Sequence, residues 1–159
     1  MAAGKTQKLS ASLEDYLEAI LNLADGAGQT RSKDIAASLG VAKPSVTGAL
    51  QALSNKGLAN YERYGCVTLT QQGRAVAREV ARKHDILKSF FVDVLGVEKE
   101  MAQRAACQAE HALGPEIIGR LLSFIEYVAA RSREGCDLAA EFRLFHGRRS
   151  AKRIKGSVS

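Results

Sequence analysis

Apolar residues recur at helical spacing along most of this chain. Leu13, Tyr16, Leu17, Ile20, Leu21 and Leu23 fall three and four apart, the pattern of a helix with one buried face. Ser12 is placed to cap that helix, with Asp15 at its third position. The pattern stops at Gly26-Ala-Gly28. A short helix is predicted over about 32–39, with Ile35, Ala36 and Leu39 inward and Gly40 ending it. The next opens at Pro44, where proline's missing N–H would have no partner anyway. It turns Val46, Leu50 and Leu53 inward and ends at Gly57. The period then drops to two. Residues 58–63 and 66–70 alternate and contain β-formers, with Tyr64-Gly65 to turn the chain, which predicts a short hairpin. Helical spacing returns through Val76, Val80, Ile86, Leu87, Phe90, Phe91 and Leu95 and halts at Gly96. Residues 98–113, 115–132 and 137–145 read as three more helices. Only two prolines, Pro44 and Pro115, interrupt the chain, so the expected fold is mainly α.

Helix, helix, short turn, helix and two-stranded wing is the order of a winged helix-turn-helix. The turn Gly40-Val-Ala-Lys43 has the length that lets the following helix project into a DNA major groove. A helical hairpin with no nucleic-acid role is the alternative, and the wing that follows argues against it. The expected organisation is a DNA-binding domain over 1–75, a helical metal-binding and dimerisation domain over 76–146, and a basic tail over 147–159. The N-terminal turn of the second helix of such a pair meets base edges. Here it carries Lys43, Pro44, Ser45, Thr47 and Gly48. Lys43 can reach guanine O6/N7 or a phosphate, Ser45 and Thr47 can bond to either, and Pro44 can touch a thymine methyl. Arg63 and Tyr64 at the wing tip are candidate backbone contacts. This set lacks two strong bidentate readers, so phosphate contacts and DNA shape are expected to matter.

Composition narrows the class without naming it. The 159 residues are 46% hydrophobic and 25% charged, as in soluble globular proteins. The best apolar run, 117–130, is broken by Arg120 and Glu126 and falls short of the ~20 residues a membrane span needs. The first residues lack the apolar stretch of a secretory signal. Three scattered cysteines, at 66, 107 and 136, make no disulfide framework. A cytoplasmic protein with no membrane partner is expected. The net charge of +6 is unevenly placed. Arg143, Arg148, Arg149, Lys152, Arg153 and Lys155 lie in residues 142–159, which hold no acid. Setting those six aside from the 23 basic residues leaves 17 against 17 acids in the rest. The tail is either a solvated end or a source of non-specific attraction to phosphate or a membrane surface.

One constellation carries metal chemistry. Cys107-Gln-Ala-Glu110-His111 lies inside a predicted helix, and positions i, i+3 and i+4 share a face. A thiol, a carboxylate and an imidazole there are three ligand types. The same triplet also reads as a half-buried cysteine, a surface acid and a capping histidine. Asp15 and Glu18 stand at i, i+3 on the first helix, beside apolar positions that pack inward. Taken alone, Asp15 is a capping acid and Glu18 a solvated carboxylate. His84 lies in Arg82-Lys-His84-Asp on the long linking helix.

Over roughly residues 9–145 the chain resembles the metal-dependent repressors of the diphtheria toxin repressor and manganese transport regulator type. The resemblance rests on Glu14-Asp-Tyr-Leu-Glu-Ala-Ile20, Asp34-Ile-Ala-Ala-Ser-Leu-Gly40, Lys43-Pro-Ser-Val-Thr47, Gly57-Leu, Val67-Thr-Leu-Thr-Gln-Gln-Gly73, Arg82-Lys-His84 and Ala106-Cys-Gln-Ala-Glu-His111. It implies a metal site built from Asp15, Glu18, His84, Cys107, Glu110 and His111. It also implies Mn(II) or Fe(II) as cofactor, a homodimer, and a double-stranded DNA operator as partner. No small-molecule substrate and no enzymatic activity are implied. Asp15 and Glu18 follow the manganese type, whereas Cys107 follows the iron type and replaces a carboxylate able to bridge two ions. The number of metals per subunit stays open. The iron type has an ancillary site that uses His84; its other positions here are Lys88 and Gln103, so that ligand set is broken. The chain also ends without the SH3-like third domain of the iron type, as expected of the two-domain form.

Four oxygen or imidazole ligands suit Mn²⁺ or Fe²⁺, a thiolate favours softer ions, and Co²⁺ or Ni²⁺ should bind at least as well in vitro. The expected switch is electrostatic. Crowded carboxylates repel one another without metal, and a divalent cation draws the first helix and the Cys107 helix together. That would orient the winged helices of a dimer for an operator, and a coupling of ~1–3 kcal/mol changes occupancy five- to 150-fold. Ile117, Ile118, Leu121, Leu122, Phe124 and Ile125 either form the dimer surface or bury one another. The alternatives are a winged-helix regulator that reads redox state at Cys107 or Cys66 without metal, a small metallohydrolase, and a scaffold that binds no DNA.

Overall fold

The computed structural model describes residues 9–62 and 65–156, with side chains described through residue 149. They form two compact units that divide at Ala81–Arg82.

The first unit contains α1 (Ala11–Leu23), β1 (Gln29–Arg31), α2 (Ser32–Leu39), α3 (Lys43–Asn55), β2 (Ala59–Tyr61), β3 (Cys66–Leu69) and the first half of α4 (Gln71–Ser89). The cap of α1 is Ser10, whose side chain accepts from the Leu13 N–H at 3.4 Å. Ser12, the expected cap, lies inside the helix. Ser10 gives no signal in the apolar pattern, which starts only at Leu13, the third residue of the helix. Gly40 ends α2 in the left-handed conformation at φ 65°, which a side chain would strain. Leu17, Ile20, Ile35, Val46, Leu50, Leu53 and Val67 are fully buried and form the centre of this unit's core. The wing is larger than the predicted hairpin. β3 is the middle of a three-stranded antiparallel sheet in the order β1-β3-β2, with Thr30 opposite Val67 and Asn60 opposite Thr68. The added strand β1 is three residues long, too short to show a period of its own. Thr70 links wing to helix: its hydroxyl donates to the Gly57 carbonyl at 2.8 Å and accepts from the Gly73 N–H at 3.0 Å. A Cβ at Gly73 would overlap the Leu58 carbonyl, so a side chain there has no room.

The second unit holds the rest of α4, a π-helical turn over Phe90–Val94, α5 (Lys99–Ala109), α6 (Pro115–Arg133) and α7 (Leu138–Gly156). The apolar run that predicted one helix through Leu95 is interrupted by the π turn, whose i→i+5 bond runs from the Leu95 N–H to the Phe90 carbonyl at 3.1 Å. The Glu98 side chain caps α5, accepting from the N–H groups of Glu100 and Met101 at 3.0 and 3.1 Å. α5 ends at Ala109, short of the predicted Leu113. Ile86, Leu87, Ala106 and Ile118 are buried together, with Phe91, Leu113, Leu121, Leu122 and Ile125 packed against them. Ile117, Phe124 and Tyr127 on α6, and Phe142, Leu144 and Phe145 on α7, remain exposed. α7 continues past the predicted end near Phe145 to Gly156, into the segment expected to be a tail. Among the described residues, no helix is long and apolar enough to cross a membrane.

Candidate metal centre and nucleic-acid interface

In the second unit, α4 and the C-terminal end of α5 bring four predicted ligands together. His84 Nδ1 lies 2.7 Å from Glu110 Oε2 and 3.7 Å from Cys107 Sγ. His111 Nε2 lies 3.4 Å from Glu110 Oε1. Only Cys107 is inside α5; Glu110 is its C-cap and His111 lies beyond it. The face predicted for a continuous helix survives because Glu110 keeps right-handed helical geometry and its N–H still reaches the Ala106 carbonyl at 3.0 Å.

Glu110 is 1% exposed and His84 6%. A carboxylate taken out of water is costly unless it is paired, and here its neighbours are two imidazoles. His84 Nε2 is also buried, with no hydrogen-bond partner among the described residues. His84 Nδ1, the buried Glu110 carboxylate and the Cys107 thiol beside it are donor types that fit a divalent transition ion, with the thiol as the soft member.

Asp15 and Glu18 belong to the first unit, on α1. Both are half-buried, flanked by the core residues Tyr16, Leu17, Ala19 and Ile20. Burial, and after it the Asp15 carboxylate, raise the Tyr16 phenol above its ordinary pKa. His146 stacks on Phe142 with ring centroids 6.1 Å apart.

The recognition-helix candidates all lie on one exposed surface. Lys43, Pro44, Ser45, Thr47 and Gly48 are exposed, while Val46 between them is fully buried. α3 opens without a side-chain cap, with Pro44 in its first turn, and the Thr47 hydroxyl donates back to the Lys43 carbonyl at 3.2 Å. Arg63 and Tyr64 lie outside the described residues. Two features escaped the sequence reading. The exposed face of α3 runs on through Gln51 and Asn55, a continuation that the i+4 step from Thr47 could have signalled. A cleft of about 360 Å³ is lined by Arg31, Ser32, Lys33, Gly65 and Cys66. It depends on β1, which showed no pattern in the sequence. The three cysteines form no disulfide.

Comparison with known proteins agrees with this geometry. Residues 8–67 match the iron dependent repressor N-terminal DNA binding domain, and residues 70–136 the iron dependent repressor metal binding and dimerisation domain. An uncharacterized HTH-type transcriptional regulator of Methanocaldococcus jannaschii, MJ0568, is 37% identical over 119 residues, covering 74% of this chain and 95% of that protein. The transcriptional regulator MntR of Salmonella typhimurium is 35% identical over 114 residues, covering 72% of each. A solved manganese-dependent transcriptional repressor in complex with manganese superposes with a TM-score of 0.66 at 27% identity, over 72% of this chain and 53% of that one.

Proposed function

The chain belongs to the iron-dependent repressor family, and we propose that within it the protein is a cytoplasmic repressor of metal-homeostasis genes. Its corepressor in this reading is Mn²⁺ or Fe²⁺, held by His84, Cys107, Glu110 and His111 together with Asp15 and Glu18. Members of this family are metal-dependent, DNA-binding transcriptional regulators and not enzymes, and they dimerise. That membership sets aside both the metallohydrolase and the regulator that reads redox state without metal.

The approach of Glu110 Oε2 to within 2.7 Å and of Cys107 Sγ to within 3.7 Å of His84 Nδ1 carries the proposal. A bound divalent cation would supply positive charge beside the buried Glu110 carboxylate. Glu110 orients His84 through the 2.7 Å contact, and its burial keeps water from competing for the carboxylate. Cys107 contributes the soft donor, which favours Fe²⁺ and later ions over Mn²⁺. Asp15 and Glu18 rest on the family resemblance; as ligands on α1 they would couple metal occupancy to the DNA-binding unit. Lys43, Pro44, Ser45, Thr47 and Gly48 meet the operator in the major groove, with Arg63 and Tyr64 on its backbone. The exposed apolar side chains Ile117, Phe124 and Tyr127 of α6 supply surface for the homodimer.

Calorimetric titration of the chelator-treated protein with Mn²⁺ and with Fe²⁺ under anaerobic conditions tests the site. Saturable binding that Glu110→Gln weakens is the expected result, and equal binding by wild type and variant would remove Glu110 from the ligand set.

A further inference from the structure

The exposed face of α3 is wider than its first turn. Val46, Leu50 and Leu53 define the buried stripe. With about 100° of rotation per residue, Pro44, Gly48, Gln51 and Asn55 fall closest to the centre of the opposite face. All four are exposed. Pro44 and Gly48 have no side-chain hydrogen-bonding group, whereas Gln51 and Asn55 each carry a carboxamide with one acceptor oxygen and two amide hydrogens.

The two carboxamides are joined. Gln51 Nε2 donates to Asn55 Oδ1 at 3.1 Å. That bond uses one amide hydrogen of Gln51 and fixes the plane of the group. When Asn55 takes the hydrogen anti to Oε1, the other hydrogen and Oε1 are left side by side, one donor beside one acceptor. In the major groove adenine shows the complementary pair, an N7 acceptor beside an N6 donor. Guanine shows two acceptors, cytosine a single donor, and thymine an acceptor beside a methyl group, so none of them satisfies both atoms.

Reach is adequate. Lys43, Thr47 and Gln51 follow one another at i+4 along the helix, and recognition helices read bases with side chains spread over about two turns. Gly48 lies one turn before Gln51, and nothing stands within 4 Å of where its Cβ would be. The helix backbone can therefore approach the groove floor there.

We propose that Gln51, held in place by Asn55, reads one adenine in each operator half-site, with Asn55 as its positioning residue. The inference rests on the repressor reading above. Its test is selection from a library of randomised DNA duplexes by the full chain in Mn²⁺, followed by sequencing of the bound fraction. The wild type should enrich an A·T pair at one position per half-site. Gln51→Ala should lower the preference for A at that single position by roughly fivefold or more and leave the others unchanged. Gln51→Glu, which only accepts, should shift that position towards C. Asn55→Leu should weaken the same preference, and Asn55→Asp, which keeps an acceptor for Nε2, should retain it. An enriched sequence that Gln51→Ala and Gln51→Glu leave unaltered at every position overturns the inference and spares the repressor reading. No enriched sequence for the wild type, with or without metal, overturns both.

Discussion

His84 Nδ1 and Glu110 Oε2 meet at 2.7 Å across 26 residues of sequence, joining α4 to the end of α5 inside the second unit. Both side chains are buried, so the pair is a built feature and not a chance surface contact. Even outer-shell partners of a metal change its affinity by about 10–100-fold. Glu110→Gln and His111→Ala should therefore lower Mn²⁺ affinity by about tenfold or more, with circular dichroism and dimer mass unchanged. His146→Ala, on α7 and stacked on Phe142, should leave affinity as it was. Equal losses in all three variants would point to general destabilisation.

In the proposed site Cys107 is the soft donor. Its Sγ stands 3.7 Å from His84 Nδ1. Cys107→Glu removes the soft donor and should raise the preference for Mn²⁺ over Co²⁺, read by competition in calorimetry. If neither Cys107→Glu nor Cys107→Ala alters affinity or selectivity, Cys107 is an exposed thiol outside the ligand set.

Two glycines should respond in opposite directions. Gly73→Ala places a Cβ against the Leu58 carbonyl and should destabilise the first unit by about 1–3 kcal/mol, as overpacking does. Gly48→Ala meets nothing within 4 Å and sits inside a helix, so it should stabilise by roughly 0.5–1 kcal/mol. Thermal melts of both variants check the pair of signs.

Stability should fall in mild acid for a local reason. Backbone N–H bonds from Gln29 and Ala27 hold the Asp25 carboxyl below its ordinary pKa, and those from Glu100 and Met101 do the same for Glu98. A carboxyl depressed in the folded state adds stability above its unfolded pKa and loses it as pH falls through the folded one. Melting temperature should therefore drop as pH is lowered through the carboxylate range. Asp25→Asn and Glu98→Gln should flatten that dependence; an unchanged pH profile in the double variant would contradict the assignment.

The helices were legible because their buried stripes are long. Val46, Leu50 and Leu53 mark α3 from the sequence and are fully buried in the fold. The break at Phe90–Val94 was not legible, because a π turn keeps apolar residues in place while changing only the hydrogen-bond step. The strand Gln29–Arg31 was missed because its single buried residue, Thr30, is polar. At the candidate metal centre, the i, i+3, i+4 spacing of Cys107, Glu110 and His111 is visible in the sequence, but the partnership of Glu110 with His84 comes from packing between helices. On the DNA face, the sequence reading stopped at Gly48 because it followed the first turn, while exposure continues to Asn55.

The central claim is that metal occupancy sets operator affinity. The most direct measurement is gel retardation of genomic DNA fragments by the full chain, in chelator and in saturating Mn²⁺ or Fe²⁺. Affinity should rise at least severalfold with metal, in line with a coupling of about 1–3 kcal/mol, and Glu110→Gln should move the rise to about tenfold or more higher metal concentration. Equal affinity with chelator and with saturating metal would contradict the account.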